Sequence, residues 1–529
     1  MYHASGMIIG CAGSGKTTLL ERLKGIDLEK IKNNIRSTRG VDINKDIFDV
    51  TDTIQVNYSS QKQRFKLRGD KEGLKKSVPE HHSMNTTDDW ETQESIEKLN
   101  DYSTIEVSKS ENIYVETKFT STSSYDRQES TSTQQDVMTE RKDIPYSSEI
   151  SGNLQIETKN ISEDPEKKIT MTDFAGQCSY YASHQMSPRA FFILVMNMEK
   201  KFDDKVGEEV CCQEGSVYTG WTNRDYLEFW MNSIHQYSSD TAPVILVGTH
   251  SENKTEKEIM AFFHEIWATL EMKDNILHKH LHEDRQFAVG FHDNESIENI
   301  KLSIVKVVQN LNHWGEKLPC SWVMFEKFFQ EKKSLRIMKK EMLLAFNEAL
   351  SQEMKLQTVH DIDFMLQFFH DNREILYFNQ EILDCVIILD VQWFANLFKN
   401  VITDKNHAEK DLCRFASDWK KFDQTGELND TLLTAIWEMK GIAVSEHKTN
   451  VMLYMEKLGL LAKLNDKKWY VPCMNKRPFP AECFSSYPTS SILCYVFDVL
   501  PVGIFHRLVA TCLQIPCEIV TERGELCIY

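Results

Sequence analysis

The sequence predicts an α/β domain with a mostly parallel sheet, followed by a mixed α+β domain that contains a winged-helix-like unit. Three observations predict this. Short apolar runs alternate with helical periodicity from Met7 to Leu311, the pattern of a parallel sheet with helices on both faces. A glycine-rich turn joins the first apolar run to the first helical pattern. After Lys317 the texture becomes helical with large aromatics, as in Trp322, Phe325 and Phe329 or Trp393, Phe394, Leu397 and Phe398.

The elements follow in order. Met7-Ile8-Ile9 is the first strand, and Leu19, Leu20 and Leu23 mark the helix that begins near Thr17. Thr53 to Tyr58 alternates like an exposed strand. From about Gln61 to Asp164 apolar periodicity vanishes and Ser, Thr, Glu, Lys and Gln dominate. Such a stretch cannot bury enough apolar surface to offset its ordering entropy, so residues 61–165 are expected to be a disordered insertion, whose Ser/Thr content would also suit phosphorylation. Strands are expected again at Lys168–Thr172, Ala190–Met196, Pro243–Val247 and Gln286–Val289, with helices at Tyr226–Ile234 and Ile297–Leu311. From Gly426 to Val471 the order helix, helix, strand suits a winged helix.

The chain of 529 residues is long enough for two or three domains. Its formal charge of −18 argues against a nucleic-acid binder, and the second helix of the winged-helix unit, Val451 to Leu461, has no cluster of Lys and Arg. The thirteen cysteines form neither a CxxC pair nor a ladder, which argues against zinc and against a disulfide framework. No apolar run approaches the roughly 20 residues that span a bilayer, and no signal peptide precedes the first strand, so a cytoplasmic location is expected.

Gly10-Cys11-Ala12-Gly13-Ser14-Gly15-Lys16-Thr17 satisfies the P-loop pattern GxxxxGK[ST]. Its glycines let the backbone curl so that successive N–H groups point at phosphates, at the positive end of the helix that follows. Lys16 would reach the β- and γ-phosphates, Thr17 would ligate Mg2+, and Thr18 completes the binding turn. Asp173-Phe174-Ala175-Gly176-Gln177 follows a strand, as the carboxylate that holds Mg2+ through its water shell should.

Further motifs carry a resemblance. Thr38-Arg39-Gly40-Val41-Asp42-Ile43 resembles the switch I of Roc domains, and Tyr180-Tyr181-Ala182-Ser183-His184-Gln185 resembles their switch II. Val247-Gly248-Thr249-His250-Ser251-Glu252 resembles their base-reading THxD element, with Glu252 where the family has aspartate. Leu318-Pro319-Cys320-Ser321-Trp322, Val386 to Trp393 and Leu500 to Leu508 resemble stretches of the COR domain, although Val391 stands where proline is usual. The chain is thus similar to the Roco family, in which a Ras-like Roc GTPase domain precedes COR.

The resemblance implies a fold, an activity and a site. Residues 1–60 and 166–315 would form Roc, 316–480 the first half of COR with its winged-helix unit, and 481–529 the second half. The ligands would be GTP and GDP, with Mg2+ held by Thr17, Thr38 and Asp173. Gly10 to Thr18 and Gly176 would hold the phosphates, Thr249, His250 and Glu252 the guanine. Catalysis would rest on Lys16, Thr38 and Gln177, the last orienting the attacking water. COR would mediate a homodimer, and the downstream partner is left open. A nucleotide-binding scaffold with little turnover, part of a longer multidomain protein, is the alternative, and a P-loop ATPase the third. No kinase motif series is visible, since Asp173-Phe174-Ala175 is not DFG.

Overall fold

A computed structural model describes residues 2–33, 38, 40–48, 50, 167–176, 189–207, 218, 220–271, 276–380, 382–402, 412–439, 441, 444 and 446–475, with the backbone of 502–514, 519–522 and 525–528. The strand expected at Thr53–Tyr58, the insertion at 61–165, and the switch II stretch with Gln177 lie outside these residues.

Six strands make the first sheet: β1 (Tyr2–Ile9), β2 (Val41–Asn44), β3 (Lys167–Phe174), β4 (Ala190–Asn197), β5 (Val244–Thr249) and β6 (Gln286–Val289), in the order β2-β3-β1-β4-β5-β6. Only β2 runs antiparallel to its neighbour, with Asp42 opposite Asp173. The other pairings are parallel, so the carboxyl ends of β1, β3, β4 and β5 lie along one side of the sheet. That is where the loops carrying polar ligands emerge in open α/β sheets.

The strands are apolar on both faces, as helices on both sides require. Alternation along β4 divides them: Phe192 and Leu194 join a core with Tyr226, Trp230 and Phe263, while Phe191, Ile193 and Val195 join one with Leu19, Leu20 and Ile304. The helices are α1 (Lys16–Leu23), the short α2 (Leu28–Asn33), α3 (Asn223–Tyr237), α4 (Glu256–Glu271) and α5 (Asn294–Gln309). Helix α3 starts at a reciprocal capping box between Thr222 and Asp225, and α5 at Asp293, whose carboxylate accepts from Ser296 N–H at 3.0 Å.

The second part begins at α6 (Cys320–Lys332) and continues through β7 (Ile337–Lys339), α7 (Lys340–Ala349), α8 (Val359–Asp371), β8 (Val386–Ile388) and α9 (Val391–Val401). The winged-helix unit follows: α10 (Ala416–Thr425), β9 (Gly426–Asn429), α11 (Asp430–Met439), α12 (Lys448–Lys457) and the hairpin β10 (Ala462–Asn465) with β11 (Lys468–Asn475). Its sheet is antiparallel in the order β10-β11-β9. The expected helix, helix and strand are present, and β9 and β10 complete the wing. A large core gathers Trp393, Phe394, Phe398, Leu432, Trp437 and Tyr454, and Ala175 of the first domain packs into it. A last helix, α13 (Val502–Gln514), and the hairpin β12 (Ile519–Glu522) with β13 (Glu525–Ile528) close the chain. No helix among the described residues is long and apolar enough to cross a membrane.

Candidate functional site: a phosphate cradle joined to a base-reading loop

The turn after β1 is shaped by its glycines. Gly10 has φ of 138°, Gly13 73° and Gly15 87°, all in the left-handed half of backbone space that other residues avoid. At Gly10 a side chain is also excluded by packing, because a Cβ would lie 2.2 Å from the Val195 carbonyl oxygen. Gly15 in its left-handed conformation sits at the N-cap of α1, so the loop delivers the chain directly into a helix start.

Lys16, the first residue of α1, is only 5% exposed. Its Nζ donates to the carbonyls of Gly10 at 2.9 Å and Cys11 at 2.7 Å, drawing the loop closed beneath it. Burial lowers the affinity of this ammonium for its proton, and the Asp173 carboxylate opposes that effect. Burial likewise raises the Asp173 carboxyl above the ordinary range, against the charge of Lys16 and the hydroxyls of Thr17 and Thr38. Each buried charge is therefore the other's partner.

Thr17, Thr38 and Asp173 meet at one point. Thr17 Oγ1 donates to Asp173 Oδ2 at 2.7 Å and Thr38 Oγ1 to the same oxygen at 2.9 Å, and the two hydroxyls touch each other. The other carboxylate oxygen, Oδ1, is buried without a hydrogen-bond partner. Two hydroxyls and a carboxylate with an orphaned oxygen are hard donors that suit Mg2+, which prefers few protein oxygens and keeps several waters. The three residues fit that ion.

Gly176 closes the cradle from above. Its carbonyl accepts from Ala12 N–H at 3.2 Å, and a Cβ there would come within 2.2 Å of Ala12 N and 2.6 Å of Lys16 Nζ. Only glycine lets this segment lie on the P-loop. Thr18 lies beside Thr17 in the first turn of α1, and Cys11 is a half-buried cysteine of the loop. A cavity of about 310 Å3 opens on one flank of the P-loop, lined by Gly10 to Ser14 together with Phe202, Tyr226 and Trp230.

The loop after β5 is tied to the cradle. Thr249 Oγ1 donates to the Ser14 carbonyl at 2.8 Å, and His250 Nδ1 lies 3.0 Å from the same hydroxyl. His250 itself takes a positive φ of 59°, which turns the chain sharply before Ser251 and Glu252. Glu252 is exposed, and its Oε1 accepts from Phe291 N–H at 2.5 Å. Burial would raise this carboxyl, but the amides of Phe291 and of Glu252 itself, with His250 and His292 nearby, hold it below the ordinary range. The structure thus brings together Gly10 to Thr18, Thr38, Asp173 and Gly176 at one end, and Thr249, His250 and Glu252 at the other.

Sequence reasoning missed three contributors. Arg22 of α1, 6% exposed, donates to the Gly290 carbonyl at 2.8 Å and to Asn294 Oδ1 at 2.9 Å, fixing the loop after β6. Gln392 of α9 bonds two backbone groups on the open side of β2: its Oε1 accepts from Ile43 N–H at 2.6 Å and its Nε2 donates to the Val41 carbonyl at 3.2 Å. Lys399, on the same helix, donates to Asp42 Oδ1 at 2.7 Å. The chain carries no local signal for these contacts, because the partners lie between 268 and 357 positions apart.

No family model matches the chain. Among curated proteins it is 25% identical over 375 residues to the probable serine/threonine-protein kinase pats1 of Dictyostelium discoideum, covering 67% of this chain and 10% of that protein. It is 24% identical over 252 residues to the probable serine/threonine-protein kinase roco6 of the same organism, and 24% over 328 residues to roco5, covering 46% and 60% of this chain. The chain is thus similar in sequence to Roco proteins. It spans about a tenth of the length of these Roco relatives. Among solved structures it is similar to the Roco2 RocCORdC of Methanosarcina barkeri bound to GDP, at a TM-score of 0.43 and 14% identity, covering 90% of this chain and 96% of that one. The resemblance to Roco proteins rests on the motifs and the sequence relatives.

Proposed function

We propose that this Roco-like chain binds GTP and GDP with Mg2+ and hydrolyses GTP slowly, working as a nucleotide-dependent switch. The observation that carries the reading is the meeting of Thr17, Thr38 and Asp173, residues up to 156 positions apart in the chain, on one carboxylate oxygen. A P-loop alone is shared with ATPases; a switch threonine closing on the same point is what a GTPase-type switch needs.

Thr17 and Thr38 would hold the ion directly and Asp173 through its water shell, and Mg2+ would supply charge neutralisation at the β- and γ-phosphates. Lys16 holds the loop closed and presents its ammonium to the same oxygens, while the loop amides orient them. Thr249, His250 and Glu252 are assigned to the guanine and Gln177 to the attacking water. We assign residues 1–60 and 166–315 to Roc, and 316–480 and 481–529 to the two halves of COR. The end of α5 at Gln309 and the start of α6 at Cys320 support a boundary between them. Dimerisation through COR belongs to the same proposal, as does a downstream protein partner.

The test is to purify the chain, denature it, identify the released nucleotide, and titrate GDP, GTP and ATP with Mg2+. Guanine nucleotide is expected. Adenine nucleotide, or binding of neither, overturns the reading. A single-turnover assay with protein in excess then decides between a slow GTPase and a nucleotide-binding scaffold, because a scaffold leaves bound GTP intact for hours.

A further inference from the structure

Glu252 replaces a shorter carboxylate at the base-reading position, and the structure shows where its longer arm goes. The side chain reaches across from the loop after β5 to the loop after β6 and accepts the Phe291 N–H at 2.5 Å. That amide is held in place from three sides. Arg22 grips the Gly290 carbonyl at 2.8 Å and the Asn294 side chain at 2.9 Å, and Asp293 N–H closes a turn onto the Gly290 carbonyl at 3.2 Å. Gly290 is where the glutamate stem passes: a Cβ there would lie 3.3 Å from Glu252 Cγ. The receiving loop is therefore a fixed donor, and the glutamate is fitted to it.

The consequence follows from counting acceptors. The guanine edge offers two donors side by side, the ring N1–H and the exocyclic 2-amino group, and a carboxylate that reads both needs both oxygens in a fork. In this chain Oε1 is engaged by the Phe291 amide and the carboxylate also meets its own residue's N–H, so at most one oxygen is left for the base. Hypoxanthine presents the same edge without the 2-amino group, so a carboxylate with one free oxygen sees little difference between the two bases. An aspartate, shorter by one carbon–carbon bond of about 1.5 Å, could not span to the Phe291 amide and would keep both oxygens for the base.

We propose that Glu252 reads the base through one carboxylate oxygen while Phe291 N–H holds the other, and that the site therefore accepts hypoxanthine nucleotides nearly as well as guanine nucleotides. The proposal rests on the guanine-nucleotide reading above and narrows it to purines that carry N1–H beside a 6-oxo group.

The experiment displaces a fluorescent GDP analogue from the full chain, with Mg2+ present, using GDP, IDP and ADP as competitors. GDP and IDP are expected to compete within about threefold of each other, and ADP at least about tenfold more weakly. In Glu252→Asp, IDP is expected to fall at least about tenfold behind GDP, because a polar site built for the 2-amino group rejects the base that lacks it. A wild-type preference of tenfold or more for GDP over IDP overturns the proposal and leaves the guanine reading standing. So does an unchanged GDP-to-IDP ratio in the aspartate variant. Failure of the GDP analogue to bind, or ADP competing as well as GDP, overturns the guanine reading itself.

Discussion

At the phosphate end of the cleft Lys16 and Asp173 are buried, and each is bonded to at least two groups of its neighbours. At the base end Glu252 is exposed, and its carboxylate meets only backbone amides, of Phe291 and of itself. The difference is one of redundancy. Phosphates and Mg2+ concentrate charge, and their ligands must be desolvated and preorganised to compete with water. The base contributes a few neutral hydrogen bonds, which a flexible side chain on a loop can supply or withhold. If Glu252 reads the base as proposed, its longer arm is tolerable there for that reason, whereas a comparable change at Asp173 would displace a carboxylate that two hydroxyls share.

The largest expected effect tests the buried end. Lys16→Ala removes the buried ammonium assigned to the phosphates; truncating one partner of such a charge contact costs roughly 3 kcal/mol of binding, so nucleotide affinity measured by titration calorimetry should fall at least about a hundredfold. Glu252→Ala should change GDP affinity no more than about tenfold, while flattening the preference among bases. Equal losses in the two variants would erase the distinction between the ends, and unchanged affinity in Lys16→Ala would remove the phosphate assignment.

A smaller effect is expected at Asp173. Asp173→Asn keeps the shape and the hydrogen-bond acceptor of the buried side chain but loses its charge. GDP binding should survive in EDTA at near the wild-type level, and the gain on adding Mg2+ should drop by about tenfold. A wild-type response to Mg2+ in this variant would take Asp173 out of the metal site.

The smallest effect concerns the strands that carry the buried end. His3 of β1 is buried against Thr170 of β3, its Nε2 3.2 Å from the threonine hydroxyl, and burial lowers its pKa to about 4 despite the nearby Glu374 carboxylate. In the unfolded chain a histidine titrates near its ordinary value of about 6.5. Between those two values the unfolded chain binds a proton that the folded chain refuses, so stability falls as pH drops from about 6.5 toward 4 and is fully present above that window. The loss should amount to about 1–3 kcal/mol at the acid end. The thermal midpoint of His3→Asn should therefore depend less on pH than that of the wild type over this range. Parallel curves would mean that His3 does not set the acid sensitivity.

Legibility in the sequence followed the distance over which each constraint acts. The P-loop was legible because its eight residues are contiguous and each serves a local geometry, from the left-handed glycines to the helix start at Lys16. Asp173 and Gly176 were legible because a strand end and a glycine that must lie on another backbone leave a local mark. The helices of the winged-helix unit showed their periodicity, whereas β9, four residues with glycine at one end and asparagine at the other, had too little pattern to stand out. The sequence displayed Glu252 but not its partner, since a backbone amide 39 positions away has no identity to read. Gln392 was invisible for the same reason in stronger form: nothing about a helical glutamine announces that both ends of its amide belong to a strand of another domain.

That glutamine has one more consequence. β2 is the outermost strand of the six-stranded sheet, and an outermost strand offers unpaired backbone groups to any extended peptide that can lie beside it. Gln392 answers the Val41 carbonyl and the Ile43 N–H with an amide of its own, so a single side chain does the work of a seventh strand. While α9 stays in place, an added strand cannot take the Val41 carbonyl or the Ile43 N–H on that flank.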